Sequence, residues 1–330
     1  MNINCPQELN DINATRYVNN IYRARQESEL VLNFSSLNFV SPSGALILAL
    51  GIRDIVGDRS KSNLETQALG ARKKSGAVSY LSHFGFFQFI GLDIGNKPNE
   101  VTGGRNFLPI TTIDINEFDS NKIAIQEQIT TRSYELARLI YPKSVDVSRV
   151  DMLAFCLREV IRNVFEHAGT EKCHVMAQKW ASGYAEISIA DEGVGIPMSL
   201  SKAHAFTNSK AALQLAIQPG ITRNIEPITN DAWQNSGFGL YVMSEIGGNN
   251  GKFSLVSDKI MLVKENGESI WLPTAVNGTV VNLRANTNDS EYFPNILQLI
   301  VSKGEDEAET IPGAIKAGSK GSKMVDPIQW

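Results

Sequence analysis

A row of polar residues on an otherwise apolar helix is the strongest constraint in this sequence. Apolar residues recur at helical spacing from Val150 onward, with no Pro or Gly before Gly169, so the sequence predicts a helix over this run. Glu159, Asn163 and His167 follow at i, i+4 and i+8 and therefore share one face. Such a row is either a solvated stripe or one wall of a site.

Two glycine-containing motifs follow downstream. The stretch Asp191-Glu-Gly-Val-Gly-Ile-Pro197 comes directly after a predicted strand, and Gly237-Phe-Gly-Leu240 opens a predicted helix. A carboxylate at a sheltered strand end can accept hydrogen bonds from an amine, and glycines let the backbone approach a flat ligand. The free amides at the start of a helix attract anions. Taken alone, the first motif could equally be a plain strand-end turn.

In this order the three motifs resemble the N, G1 and G2 boxes of the GHKL superfamily of ATPases and kinases. The pattern Glu-x-x-x-Asn-x-x-x-His-Ala, followed by Asp-Glu-Gly-Val-Gly-Ile, is most similar to the ATP-binding domains of the anti-sigma-factor serine kinases. The resemblance covers about residues 115–285. It implies a Bergerat fold that binds ATP and Mg²⁺.

The resemblance also implies a role for each motif residue. Glu159 is expected to be the catalytic general base, Asn163 the Mg²⁺ ligand and Asp191 the acceptor of the adenine amine. Thr279 either supports Asp191 or is a simple β-branched strand residue, and His167 either reaches phosphate or ends the helix. The other predicted nucleotide-binding residues belong to the glycine motifs: Gly193, Gly195, Gly237, Gly239 and Leu240.

A long segment, residues 196–236, separates the G1 and G2 motifs. Connections of this length within a compact domain tend to be functional, so the sequence predicts a lid. Lys202, Lys210 and Arg223 are its candidate ligands for the γ-phosphate, although a single basic residue in such a segment is more often a solvated surface residue.

The first hundred residues resemble a different family. A strand over 29–34, a Ser/Gly turn ending at Gly44 and an apolar helix entered through Ser43 are similar to a STAS domain. Ser41 stands at the family's Asp position, and Pro42 replaces the serine that is phosphorylated in that system. Proline has no hydroxyl, so this domain is predicted to be a docking or dimerisation module, with helix-capping serines at the turn.

The expected fold class is therefore α+β, an α/β sandwich. A STAS-like α/β domain is predicted at 1–100, a linker and first strand at 101–112, the GHKL ATP-binding domain at 113–302 and a flexible tail at 303–330.

Composition and charge limit the partners and the cellular location that we expect for the protein. The chain has 330 residues and a formal net charge of −4, which gives no reason to expect nucleic acid as a partner. No apolar run approaches the roughly 18 residues that a membrane span needs, and the start of the sequence lacks the pattern of a secretory signal. The three cysteines, with no CxxC spacing, are expected to be free thiols in the cytoplasm.

Three functions remain open at this point. The first is an ATP- and Mg²⁺-dependent regulatory protein that hydrolyses ATP to switch its interaction with a protein partner, such as another STAS-like or regulatory protein or a second copy of the chain. The second is a protein serine/threonine kinase of the anti-sigma-factor type. The third is a nucleotide-dependent scaffold without turnover.

Overall fold

The computed structural model describes residues 1–73, 76–104, 106–118, 125–140, 147–223, 236–286 and 293–318. Over these residues the chain is a mixed α+β protein with one large antiparallel sheet and two small parallel sheets. The coarse fold class is thus as the sequence predicts. None of the described helices combines the length and the apolar character that a membrane crossing needs.

The N-terminal unit, residues 1–94, alternates short strands with helices. Its strands β1, β3 and β5 form a parallel sheet in the order β1-β3-β5, and β2 pairs with β4. The elements are β1 (Asn2–Asn4), β2 (Glu8–Leu9), α1 (Asp11–Arg23), β3 (Glu29–Asn33), β4 (Phe39–Val40), α2 (Pro42–Lys61), β5 (Glu65–Leu69), α3 (Gly76–His83) and α4 (Phe86–Phe89).

The remainder is built on a seven-stranded antiparallel sheet of order β11-β10-β9-β12-β8-β7-β6. Its strands are β6 (Phe107–Asp114), β7 (Lys172–Lys179), β8 (Tyr184–Asp191), β9 (Gly251–Ser257), β10 (Ile260–Glu265), β11 (Glu268–Pro273) and β12 (Thr279–Asn286). The helices are α5 (Ile125–Ile140), α6 (Val147–Asn163), α7 (Ile196–Leu200), α8 (Ser209–Ala216), α9 (Gly239–Asn250) and α10 (Phe293–Ala308), with a 3₁₀ turn at Ile115–Glu117 and a π-helical turn at Val164–Ala168.

Side chains of the large sheet alternate between two apolar cores, as the period of a strand requires. In β9, Phe253 and Leu255 join the core formed with α5, α6, α9 and α10. Val256 joins the core formed with the N-terminal unit, as does Met261 on β10. The N-terminal unit therefore covers one face of the sheet, and the long helices cover the other.

Helix α2 is the element that the N-terminal unit presents to the sheet. Ser41 is its N-cap, accepting a hydrogen bond from the Gly44 N–H at 3.1 Å, and Pro42 occupies the first turn. Every residue from Pro42 to Ile52 is buried, since the helix packs against α1 and β5 and also against β7, β8 and β12. A helix that is apolar all round needs such burial on both sides.

Two buried polar contacts cross this interface. The Ser43 hydroxyl donates to Glu186 Oε1 of β8 at 2.6 Å, and the Ser43 N–H donates to the same oxygen at 3.0 Å. Lys252 of β9 pairs with Asp11 of α1 at 2.6 Å. Burial raises the pKa of Glu186, while the two donors of Ser43 lower it. The serine turn thus lies against the chain's own sheet, with Ser41 and Ser43 both buried.

Strand β6 begins at Phe107, within the segment over 101–112 that the sequence predicts as a linker and first strand. Just before it, the Asn99 side chain accepts from the Thr112 N–H at 2.7 Å and donates to the Thr112 carbonyl at 2.9 Å, which ties the connection to strand β6. The Ile110 N–H donates to the Phe84 carbonyl at 3.0 Å. Because both units also share one apolar cluster, they are packed together along this connection.

The segment that the sequence predicts to be a flexible tail, 303–330, begins inside a helix. Helix α10 continues to Ala308, which is fully buried, and Gly304 packs against the rings of Phe238 and Tyr241. The chain then continues to Gly318, whose N–H donates to Glu305 at 2.8 Å. The sequence signal was missed because the apolar residues are few and scattered. Residues 319–330 lie outside the described residues.

Candidate functional site

The carboxylate of Asp191 lies at the end of β8, in the centre of the large sheet. Antiparallel pairing places Thr279 of β12 directly opposite Asp191, and the Thr279 hydroxyl lies 3.2 Å from the Ser257 hydroxyl. The Gly193 N–H donates to Asp191 Oδ1 at 2.8 Å. Burial raises the pKa of Asp191 to about 7, and the nearby Glu192 adds to this rise, whereas Gly193 and Thr279 lower it. Asp191 is thus a buried acceptor that titrates near neutral pH.

Gly193 allows the turn after β8 to pass close to the end of α6. A Cβ atom at this position would lie 2.3 Å from the Ala168 carbonyl oxygen and 2.8 Å from Asp191 Oδ1. The following residue, Val194, donates its N–H to the same Ala168 carbonyl at 2.8 Å. This contact joins the strand-end turn to the polar helix, as the two motifs require if they form one site.

Helix α6 does not continue regularly through the polar row. It ends at Asn163 and passes into the π-helical turn over Val164–Ala168, so the i, i+4, i+8 geometry is broken after Asn163. Asn163 and His167 still line one cavity. Burial, with Arg223 and Arg162 nearby, lowers the pKa of His167 to about 4, so the imidazole is neutral at neutral pH. His167 is therefore not a phosphate-binding cation in this arrangement.

Glu159, which the sequence predicts as the general base, does not line this cavity. Its carboxylate pairs with Arg158 at 2.8 Å and with Arg162 at 2.8 Å, and its side chain is only 1% exposed. Burial alone would raise the pKa of Glu159, but the two guanidinium groups outweigh it and hold the pKa below its ordinary value. A carboxylate held in this way is a weak base.

The predicted residues otherwise converge on one cleft, whose empty space of about 760 Å³ includes its open mouth. Those that line it are Asn163, His167, Asp191, Gly195, Gly237, Gly239, Leu240 and Thr279. Gly193 lies immediately behind Asp191 and does not line the cleft.

Several apolar lining residues were not predicted. Val160, Val164 and Ala168 each follow a polar residue of the row by one position, and Val281 follows Thr279 by two on the same strand face. Their spacing could have identified them, because neighbours at helical or strand period share a face. They make the wall beside Asn163 and Asp191 largely apolar, as suits a flat ring system.

The predicted lid forms the roof of the cleft. Helix α7, helix α8 and residues 217–223 lie over it, and residues 224–235 of the predicted lid lie outside the described residues. Arg223 lines the cleft and donates to the Glu166 carbonyl at 2.7 Å. By contrast, Lys202 is exposed, and Lys210 lies 5.2 Å from the ring centre of Trp271.

The C-terminal segment closes the roof from outside. The Ile315 N–H donates to the Gly220 carbonyl at 2.8 Å, and Ile311 and Ala314 pack on a small cluster of Leu200, Ala216 and Ile221. This contact could not be expected from a segment that the sequence predicts to be flexible.

Within the described residues, no three His, Cys, Asp or Glu side chains cluster around a common metal position. Asn163 offers an amide oxygen, which suits a Mg²⁺ ion held mainly by ligand phosphates and water. Comparison with known proteins adds no assignment, since no protein-family model and no curated protein matches the chain.

Proposed function

We propose that this chain is an ATP- and Mg²⁺-binding regulatory protein of the GHKL type, in which nucleotide binding controls the interaction with a protein partner. The observation that supports it best is the meeting of Asp191, Thr279 and Asn163 around one cleft. These three residues come from a strand end, the neighbouring strand and a helix end. In this proposal the large sheet and its helices are a Bergerat fold and the N-terminal unit is a STAS-like module.

The base would be recognised at the end of β8. The Asp191 carboxylate accepts from an exocyclic amine, which adenine carries and which a keto purine lacks at that position. Thr279 and the Gly193 N–H fix the carboxylate from its other side. The apolar wall made by Val160, Val164 and Ala168 would pack on the ring.

The phosphates would lie toward the start of α9 and Arg223. Gly237 and Gly239 bring helix amides to the cleft, and the helix dipole favours an anion there. Asn163 would hold Mg²⁺ through its amide oxygen, and the ion would supply charge neutralisation between phosphate groups. Arg223 is the cation that the roof contributes.

Turnover is the least supported part of this function, and one observation favours the scaffold as a second candidate. Glu159 is engaged by Arg158 and Arg162, so hydrolysis or transfer through this carboxylate would first require one of the pairs to open. A protein that binds ATP and a partner without turnover needs no such opening. A kinase would need one of these ion pairs to open, just as an ATPase would.

Titration calorimetry of the full chain with ATP and Mg²⁺ tests the binding function. A charge-assisted hydrogen bond contributes about 1.5–3 kcal/mol, so Asp191→Asn should weaken ATP binding by roughly 10- to 150-fold. Asp306→Asn, a matched change on the exposed side of α10, should leave the affinity unchanged. Equal affinity of wild type and Asp191→Asn, or no ATP binding by wild type, would overturn the proposal.

Two assays then separate the three forms of the function. Steady-state release of inorganic phosphate identifies an ATPase, and transfer of labelled γ-phosphate to a co-purified protein identifies a kinase. Binding without either activity leaves the scaffold.

A further inference from the structure

The N-terminal unit contacts the large sheet at the two chain segments that flank Asp191 and Thr279. Glu192 follows Asp191 directly, and the Asn277-Gly278 pair precedes Thr279. Consecutive residues of helix α2 reach both segments. Arg53 binds Glu192, and Asp54 accepts a hydrogen bond from the Asn277 amide at 2.7 Å.

The Arg53 contact is more specific than an ordinary surface ion pair. Its Nε and Nη2 donate to the two oxygens of Glu192 at 2.8 and 3.1 Å, which is the bidentate geometry. Its Nη1 donates to the Phe89 carbonyl at 2.7 Å, and the guanidinium lies 4.6 Å from the Phe89 ring centre. All three guanidinium nitrogens are therefore used, and the position of the Glu192 carboxylate is fixed.

A second residue holds Glu192 from the sheet side. His174 of β7 lies 3.9 Å from Glu192 Oε2, and its ring packs on Phe89 with the ring centres 4.6 Å apart. His174 and Arg53 together lower the pKa of Glu192 to about 2. The carboxylate next to Asp191 is thus ionised and immobilised at neutral pH.

The contribution of this pair to folding is expected to be small. The side chains of Arg53 and Glu192 are 37% and 42% exposed, and ion pairs of this exposure add little to stability. The pair lies next to the proposed base-binding carboxylate, which points to a role in ligand binding and not in stability.

We propose that Arg53 and Asp54 form a brace that positions the two strand ends of the nucleotide site, so that the N-terminal unit sets the affinity of the cleft. Arg53 acts through Glu192 on the Asp191–Gly193 turn, and Asp54 acts through Asn277 on the start of β12. Arg53 is a positioning residue, because it does not touch the cleft itself. The brace matters only if the cleft binds a nucleotide, so it rests on the function proposed above.

Affinity measurements with ATP and with ADP test the brace. Arg53→Ala should weaken the binding of both ligands by roughly 3- to 30-fold, which lies within the range of coupling between residues in contact. Arg53→Lys keeps the charge but loses the bidentate geometry, so it should rescue part of the affinity. Lys61→Ala removes an exposed cation from the same helix, 79% exposed, and should change nothing.

The pH dependence of binding separates positioning from general loosening. The titratable and charged groups around Asp191 are Glu192 on its own chain segment, with Arg53 of α2 and His174 of β7 beside Glu192, and the neutral, buried Cys173 thiol of β7. Arg53→Ala leaves the Glu192 charge uncompensated and should move the pH midpoint of binding upward. Glu192→Gln removes that charge and should move the midpoint downward, although both variants break the same pair.

The outcomes are distinct. Wild type that fails to bind ATP overturns the proposed function and the brace together. Wild type that binds, with Arg53→Ala equal in affinity, overturns the brace alone, and so do midpoints that shift in the same direction in both variants. If Arg53→Ala does not fold, as thermal unfolding would reveal, Arg53→Lys and Asn277→Ala provide the same comparison.

Discussion

The end of β8 brings the buried carboxylate of Asp191 to the cleft, and the last turns of α6 carry the buried carboxylate of Glu159 beside it, but the two have opposite surroundings. Asp191 meets a hydroxyl and a backbone N–H, and its pKa is raised to about 7. Glu159 meets two guanidinium groups, and its pKa is lowered. Sequence motifs predicted a ligand at the first position and a base at the second. The difference shows that spacing predicts which residues come together, whereas their neighbours determine the chemistry available to them.

The largest effect is expected on the stability of the protein when Glu159, in the last turns of α6, is replaced. Glu159→Gln removes the charge that Arg158 and Arg162 share in a buried site, and breaking such a pair from one side costs about 3–5 kcal/mol of unfolding free energy. Urea denaturation measures this change. Glu135→Gln, in the half-exposed Arg132 pair on α5, is the matched control and should lose less than about 1 kcal/mol.

The Glu159→Gln variant also decides whether this carboxylate is a catalytic base or a structural anion. A Glu159→Gln protein with unchanged stability and abolished phosphate release would show that this carboxylate is a free base, as the motif alone predicts. Lost stability with unchanged phosphate release would show that it is a structural anion.

Asp191, at the end of β8, should make both nucleotide binding and stability depend on pH. Nucleotide binding that needs an ionised Asp191 should weaken as the pH falls below about 7, by up to about tenfold for each pH unit. Stability of the ligand-free protein should change in the opposite direction. Because the folded pKa of Asp191 lies above its unfolded value, the folded state binds the proton between about pH 7 and 4, so this group's contribution makes folding more favourable as the pH falls.

Calorimetry across pH 5–8 and denaturation over the same range measure the two trends. Asp191→Asn should flatten both of them, since it removes the titrating group. A wild-type affinity that stays constant from pH 8 to pH 5 would contradict the assignment of Asp191 as an ionised acceptor.

These two ends also show what the sequence could and could not predict. Each motif ties a residue type to a strand or helix end, so the sequence could predict that these residues come together, and Asp191 and Thr279 lie opposite each other on neighbouring strands. The pairing of Glu159 was also present in the sequence, since Arg162 follows it at i+3, a neighbouring position on a helix. The π-helical turn after Asn163 had no comparable signal.

The sequence did not predict where the N-terminal unit packs on the large sheet. A helix as uniformly apolar as α2 needs partners on all sides, so its sequence indicated burial between two layers. Which layers these are depends on long-range contacts such as Ser43 with Glu186, and local patterns do not encode them. The C-terminal segment was missed for a related reason, because Ile311 and Ile315 are isolated apolar residues that only the roof brings together.

A substitution in the roof of the cleft is expected to have an effect of intermediate size. A Cβ atom at Gly220 would lie 2.1 Å from the Ile315 carbonyl oxygen, and the φ of Gly220 is +76°. Gly220→Ala should therefore release the C-terminal segment and accelerate proteolysis within residues 309–318 by roughly tenfold. Gly267→Ala has the same left-handed backbone with nothing near its Cβ, so it should leave cleavage of this segment unchanged. Equal cleavage in both variants would argue against a closed roof.

The smallest effect is expected at Lys210, which lies away from both ends of the cleft. Its ammonium lies 5.2 Å from the Trp271 ring centre and does not line the cleft. Lys210→Ala should therefore change the ATP affinity by less than about twofold, measured by calorimetry. Arg223→Ala is the contrasting variant, because Arg223 lines the cleft and should matter for ATP but not for AMP. If Lys210→Ala weakened ATP binding as much as Arg223→Ala, the phosphates would extend toward α8, and the start of α9 would lose its role as the anion site.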